Sequence, residues 1–168
     1  MTHPLVIQLR FARSEFVRGL EGVTDADGRR RFEPMNCISW NIGHLAWQEQ
    51  RYWLQRMQHQ SVRPELDKLY CYSCPAVAPP LDESWAAWQA VTAAADPYLD
   101  SLTEADIRHE HTFTFGNDTF TVTIGTMMLR AIYHYWYHNG ENQAIRQLLG
   151  HTGLPDFVGN IDGEAPYK

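Results

Sequence analysis

The sequence predicts an all-α fold: a four-helix bundle with a long crossover connection and a small β-hairpin before the last helix. Three observations predict it. Four stretches, roughly 3–24, 37–59, 81–101 and 124–150, carry apolar residues at the i, i+3, i+4, i+7 spacing of one helix face. Residues 59–81 hold Pro64, Pro75, Pro79 and Pro80 with little periodicity, a connection long enough to let two successive helices run parallel. Residues 111–124 alternate apolar and polar side chains on either side of Gly116-Asn117-Asp118, which marks a hairpin.

Each element has its own pattern. In the first helix Leu5, Leu9, Ala12, Phe16 and Leu20 form the stripe, with Arg10, Arg13, Glu15 and Arg18 off it. Thr24 to Pro34 is polar, contains Gly28 and reads as a loop. The second helix is capped by Asn36 or Ser39 and carries Trp40, His44, Trp47 and Arg51 along one face. Gly43 costs helix propensity there, which points to a close approach by another backbone or a ligand. The third helix starts at Asp82, buries Trp85, Trp88, Val91, Ala95 and Leu99, and is kinked or ended by Pro97. Thr103-Glu-Ala-Asp106 resembles a capping box for one short turn. Gly125 and Thr126 open the last helix and Gly150 closes it. The Gly- and Pro-rich residues 151–168 read as an extended tail that folds back over the bundle.

Length and composition narrow the function. At 168 residues the expectation is one domain, 1–168, with a substantial core. The formal net charge of −6 disfavours nucleic acid, and the short run Arg29-Arg30-Arg31 reads as a solvated loop. The N-terminus becomes charged too early for a signal peptide, and no apolar run approaches the ~18–20 residues of a membrane span. A soluble, cytoplasmic protein without a membrane partner is expected. Three cysteines, Cys37, Cys71 and Cys74, argue against a secreted disulfide framework. Cys71-Tyr-Ser-Cys74 is followed by prolines rather than a helix and has no neighbouring pair of zinc ligands. It reads as incidental loop thiols, with redox or accessory metal roles as alternatives.

The chemistry lies in histidines. Met127, Ala131, His134, His138, Ile145 and Leu149 share one face of the last helix. Two imidazoles one turn apart can grip one metal ion, yet the pair alone fits two satisfied core histidines equally well. His44, inward on the second long helix, supplies a third donor once the helices pack. Three neutral ligands leave a coordination position open, a set that suits Zn²⁺, Ni²⁺, Co²⁺ or Fe²⁺.

Two segments carry a family resemblance: Asn36-Cys-Ile-Ser-Trp-Asn-Ile-Gly-His44-Leu-Ala-Trp, and Gly125 through His134-Tyr-Trp-Tyr-His138-Asn-Gly-Glu-Asn-Gln-Ala. With the hairpin before the last helix, they resemble the DinB-like or YfiT-like superfamily of metal-dependent proteins. The resemblance covers essentially the whole chain. It implies a four-helix bundle with an unusual crossover, a three-histidine metal site at His44, His134 and His138, and a homodimer. It also implies a divalent transition metal, Zn or Ni before Fe or Co. Some relatives transfer a low-molecular-weight thiol to an electrophile or isomerise with a thiol cofactor, whereas many have no known reaction.

A thiol S-transferase acting on a small electrophile therefore leads the functional readings. A metal-dependent hydrolase and a non-catalytic metal-binding or interaction module are the alternatives. The protease motif His-Glu-x-x-His is not met, because residue 135 is Tyr. Trp40, Trp47, Gln48 and Asn142 flank the ligands and are candidates to line a substrate pocket, although core packing explains the tryptophans as well. Glu141 is a candidate to orient a ligand, the alternative being a solvent-facing helix glutamate. His3, His59, His109, His111 and His151 lack partner spacing and read as surface residues. The aromatics Trp136 and Tyr137 lie off the histidine stripe and are the expected dimer contact.

Overall fold

His3 accepts the Leu5 N–H on Nδ1 at 3.1 Å and starts α1 (Pro4–Gly19), where Pro4 sits in the first turn and gives up no helical hydrogen bond. The computed structural model describes residues 2–166. α1 ends short of the expected boundary because its last carbonyl is taken by tertiary structure: Arg146 Nη1 donates to Gly19 O at 2.6 Å. The stretch expected as a loop holds a five-residue helix, α2 (Asp25–Arg29), whose Asp27 N–H is capped by Thr24.

α3 (Ile38–Glu49) has Cys37 at its N-cap without a side-chain bond, so neither Asn36 nor Ser39 caps it. It continues as a π-helical segment, Gln50–Arg56. The connection that follows contains α4 (Leu66–Leu69) and passes beside α3. In it Cys71 and Cys74 are joined by a disulfide rather than standing as separate thiols, their Cα atoms 5.0 Å apart.

α5 (Leu81–Ser101) continues past Pro97 instead of ending there. Ala95 and Leu99, both fully buried, hold the helix on either side of the lost N–H. α6 (Glu104–Arg108) carries the capping box expected of Thr103 and Asp106. β1 (Glu110–Phe115) and β2 (Asp118–Thr123) pair antiparallel, with Phe113 opposite Phe120 and Phe115 opposite Asp118. The turn is therefore two residues, Gly116-Asn117, with Gly116 at φ 62°, a conformation glycine adopts without strain. Thr123 leads directly into α7 (Ile124–Leu148) and caps it, so Gly125 lies inside the helix rather than opening it.

α1, α3, α5 and α7 form the bundle, with α1 against α7 and α3 against α5. Contacts give the directions. Arg13–Asp96 and Arg10–Asp100 set α1 antiparallel to α5. Leu5 near Gly125 and Gly19 bonded to Arg146 set α1 parallel to α7. Asn41–Asn142 and Gln48–His134 set α3 antiparallel to α7. α3 and α5 thus run parallel, which is what the long crossover permits.

One polar network crosses the core. Arg13 makes a two-pronged bond to Glu49, at 2.7 and 2.6 Å, and a third to Asp96 at 2.8 Å. Tyr135 donates to Glu49 at 2.8 Å and accepts from Trp88 at 2.7 Å. All four bundle helices meet there. The tail does fold back: Gln8 donates to Ala165 O, and Gly159 N–H donates to Glu15 at 2.8 Å, just before α8 (Ile161–Glu164). Trp136 is half-buried between Phe11 and Phe157, so this expected dimer contact is occupied by the chain's own tail; Tyr137 is exposed.

Candidate metal centre

α3 is buried along its whole length, an apolar setting that forces its polar side chains to find partners. His44 is stacked between Trp40, 4.7 Å away centroid to centroid, and Trp47 at 5.4 Å. These rings fix the plane of the imidazole. Across from it, α7 presents His134 and His138 one turn apart, edge-on to His44 at 4.9 and 5.4 Å. One ligand atom from each of the three lies within 4.8 Å of the others.

The tautomers follow from the outer bonds. His44 Nδ1–H donates to Tyr70 O at 2.7 Å, His138 Nδ1–H to the Glu141 carboxylate at 2.7 Å, and His134 Nδ1–H to Gln48 Oε1. Every Nδ1 is spent, so every Nε2 carries a bare lone pair. Nε2 of His134 and Nε2 of His138 stand 3.0 Å apart. Two lone pairs facing at that distance repel, and a cation between them converts the repulsion into two bonds. The donor set thus fits a divalent transition metal: three neutral imidazole nitrogens, each oriented by an acceptor behind it.

Burial keeps His44 and His134 neutral. Desolvation lowers the pKa of His44 to about 4, against a smaller opposing effect of the Tyr70 carbonyl. Desolvation, followed by the charges of His138 and His44, pulls His134 far below the usual imidazole value as well. Both are unprotonated near neutral pH, as metal ligation requires.

A family described as the DinB superfamily has a model that matches residues 8–141. The chain belongs to the DinB superfamily. The matched span contains all three histidines and Glu141. No curated protein matches the chain.

In this DinB-superfamily chain the candidate residues take distinct places. Trp40 and Trp47 flank His44 and also reach the surface clefts over the triad. Gln48 holds His134 and lines the cleft beside it. Glu141 lies behind His138 rather than in solvent. Asn142 stands further back: it is buried and accepts from Asn41, which also donates to Glu141 at 3.1 Å. Sequence reasoning had no signal for Tyr70, whose carbonyl fixes His44, nor for Tyr72, which lines both clefts. Gly43 does mark a close approach, by a side chain: a Cβ there would lie 2.2 Å from the Tyr70 ring. His59 is exposed, whereas His3 and His151 are half-buried and hydrogen-bonded to Glu104 and Arg146.

The opening over the triad has two lobes. One, of about 400 Å³, is walled by Asn36, Trp40, Tyr137 and Glu141; the other, of about 240 Å³, by Trp47, Gln48 and Arg51. His44, His134 and Tyr72 border both. Larger clefts lie along α1 and beside Trp85, but neither gathers three ligating side chains.

Proposed function

We propose that the protein is a metal-dependent thiol S-transferase acting on a small electrophile. The donor set carries this reading: one ring nitrogen from each of three histidines converges beneath an open cleft, and no fourth His, Cys, Asp or Glu joins the group among the described residues. A divalent ion held there supplies Lewis acidity that deprotonates a thiol near neutral pH. The chain's part is to position. His44, His134 and His138 would hold the ion, while Tyr70, Gln48 and Glu141 hold their rings. Trp40, Tyr137 and Tyr72 give the cleft an aromatic wall against which small organic groups pack. In the transfer, sulfur forms a bond to the electrophilic carbon, that carbon releases its leaving group with the electron pair, and the thiol proton goes to solvent.

Hydrolysis is less well supported: an ion held there would also lower the pKa of a bound water, toward about 7, but the cleft wall offers that water no free carboxylate to orient it. The one carboxylate in the cleft wall, Glu141, already accepts from His138 and Asn41. Tyr135, at the position of the protease glutamate, is buried and bonded to Glu49, and burial followed by the Glu49 charge raises its pKa well above the usual phenol value. A thiol starts from a much lower pKa than water and is the stronger nucleophile once ionised, so it asks less of the site.

Two measurements test this. Replacing His44, His134 or His138 by alanine should abolish stoichiometric metal binding, while His59→Ala keeps it. Addition of 2-mercaptoethanol to the Co²⁺-loaded protein should produce a sulfur-to-cobalt charge-transfer band. Full metal content in His134→Ala would refute the triad. A Co²⁺ spectrum that ignores thiols would turn the reading toward the hydrolytic or non-catalytic alternative.

A further inference from the structure

Tyr70 and Tyr72, which the crossover brings to the histidines, flank one cysteine, Cys71. Tyr70 is buried; its carbonyl accepts from His44 Nδ1 at 2.7 Å, and its own N–H donates to Leu66 O at 3.0 Å. Tyr72 is 91% exposed and borders both lobes of the cleft. The anchor of one histidine and the outer wall of the cleft are thus joined through a residue that is half of the Cys71–Cys74 disulfide.

The neighbouring contacts show what holds Tyr72 in place. Upstream, Asp67 accepts from Trp47 Nε1 at 3.0 Å and from Gln55 Nε2 at 2.7 Å, which ties α4 to α3 and its π-helical continuation. Downstream, Ala78 O accepts from Arg29 Nε at 3.0 Å, and the Cys37 thiol donates to Val77 O at 3.6 Å. Between these anchors the described hydrogen bonds belong to the turn itself: Cys71 N–H to Cys74 Sγ at 3.1 Å, and Cys74 N–H to Cys71 O at 3.0 Å. Cys74 Sγ also lies 3.9 Å from Asp67 O, and Cys71 packs on the apolar core. With Cys71 seated on the core, the disulfide is what ties the outer arc, 72–76, back to it. A bridge that closes so short a loop removes little entropy from the unfolded chain, so its effect is local, on that arc.

We propose that Cys71–Cys74 is a thiol-exchange site, and that a low-molecular-weight thiol, by reducing it, releases Tyr72 and opens the cleft over the histidines. Both half-cystines are partly exposed, as attack by a thiolate demands, whereas Cys37 is fully buried. The thiolate bonds to Cys71 Sγ, the S–S bond breaks, and its electron pair goes to Cys74, whose sulfur already accepts the Cys71 N–H. A second thiolate attacks the sulfur of the attached small thiol, frees Cys71 and leaves as the small-molecule disulfide. Two small thiols are oxidised, the cystine is reduced, and the two protons that the thiols lose end on Cys71 and Cys74. The reverse reaction, with the small disulfide as oxidant, closes the loop again. Under the thiol-transfer reading the centre then opens when its thiol substrate is plentiful and reduced. The exchange and the gating need only the loop and the cleft, and they stand without that reading.

A buffer of 2-mercaptoethanol and its disulfide drives the exchange, and differential alkylation reads the thiols. Cys71 and Cys74 should open in the folded protein as the buffer becomes reducing, with Cys37 unalkylated. A pair that stays closed overturns the proposal, and so does alkylation of Cys37, which would mean that the fold loosens as a whole. Access is read on metal-free protein as the rate at which diethyl pyrocarbonate modifies His134, resolved by peptide mass spectrometry. Cys71→Ser/Cys74→Ser should react severalfold faster than the oxidised wild type, with the exposed His59 equal in both. Tyr72→Ala should be as fast with its disulfide intact as it is with the two serines. Equal His134 rates in the wild type and the double-serine protein would overturn the latch. A serine-dependent rate that survives in Tyr72→Ala would overturn Tyr72 as its moving part. Neither readout involves metal or thiol transfer, so a Co²⁺ spectrum that ignores thiols would leave this result to be decided separately.

Discussion

A Cβ added at Gly43 would meet the Tyr70 ring at 2.2 Å, so the ring must move. Tyr70 is also the residue whose carbonyl accepts from His44, 2.7 Å from Nδ1. Gly43→Ala should therefore disturb a ligand it does not touch. Alanine favours helix by up to about 1 kcal/mol over glycine, so helix content should hold. Metal affinity should nevertheless fall roughly 10- to 100-fold, the usual cost of losing a partner behind a ligand. Competition with a chromophoric chelator measures it, and unchanged affinity would show that the Tyr70 carbonyl is dispensable. The three histidines that converge were legible in the sequence because their spacing is local: one turn on α7, and an inward position on α3. The groups that aim them were legible only in part. Gln48 and Glu141 are helical neighbours of the ligands, so spacing could nominate them. Tyr70 and Tyr72 arrive from the crossover, where no periodicity constrains which side chain returns to the site.

The helices are joined by charges as well as by apolar stripes. Glu49 on α3 pairs with Arg13 on α1 and accepts from Tyr135 on α7, with Asp96 on α5 completing the Arg13 contacts. Arg13 and Glu49 are both buried. Glu49→Ala strands a buried guanidinium and should cost roughly 3–5 kcal/mol in urea unfolding, whereas the double replacement by Met at both positions should cost much less. A similar loss in the double variant would place the energy in shape rather than charge. A second clamp is pH-dependent. Glu15 bonds Arg18 and the Gly159 N–H, and its carboxyl is held below the ordinary value, first by the Arg18 hydrogen bond and against the effect of burial. A carboxylate with a depressed folded pKa stabilises fully above its unfolded value near 4.3 and loses that contribution as pH falls through the folded one. Stability should thus drop below about pH 4.3 in the wild type, and Glu15→Gln should flatten that segment while lowering stability by about 1–2 kcal/mol at pH 7. An unchanged pH profile would remove Glu15 from the account. The four stripes, the hairpin and the capping box were readable because each is a local period or a local bond. The ends of α1, the passage of α5 through Pro97 and the π segment were not: Arg146 terminates α1, and burial of Ala95 and Leu99 carries α5 past the proline.

At the scale of the whole molecule, the centre links elements that the apolar core joins less directly. His44 lies on α3, His134 and His138 on α7, and the crossover reaches His44 through Tyr70. An ion bound to all three pulls two antiparallel helices and a 57–80 connection toward one point, and the unfolded chain offers no comparable preformed site. Binding to the folded state alone adds RT ln(1 + [M]/Kd), about 2.7 kcal/mol at a free metal concentration one hundred times Kd. For a chain of this length that corresponds to a rise in Tm of roughly 5–10 °C. Differential scanning calorimetry with Zn²⁺ and with excess chelator should show this difference in the wild type and no difference in His138→Ala. The shift should also grow with the logarithm of metal concentration, which separates specific ligation from a surface effect that saturates elsewhere. A shift that survives in His138→Ala would mean that the stabilising metal sits on other side chains. The absence of any shift in the wild type would mean that the three histidines do not hold an ion in the folded protein, and thiol transfer would lose its centre with it.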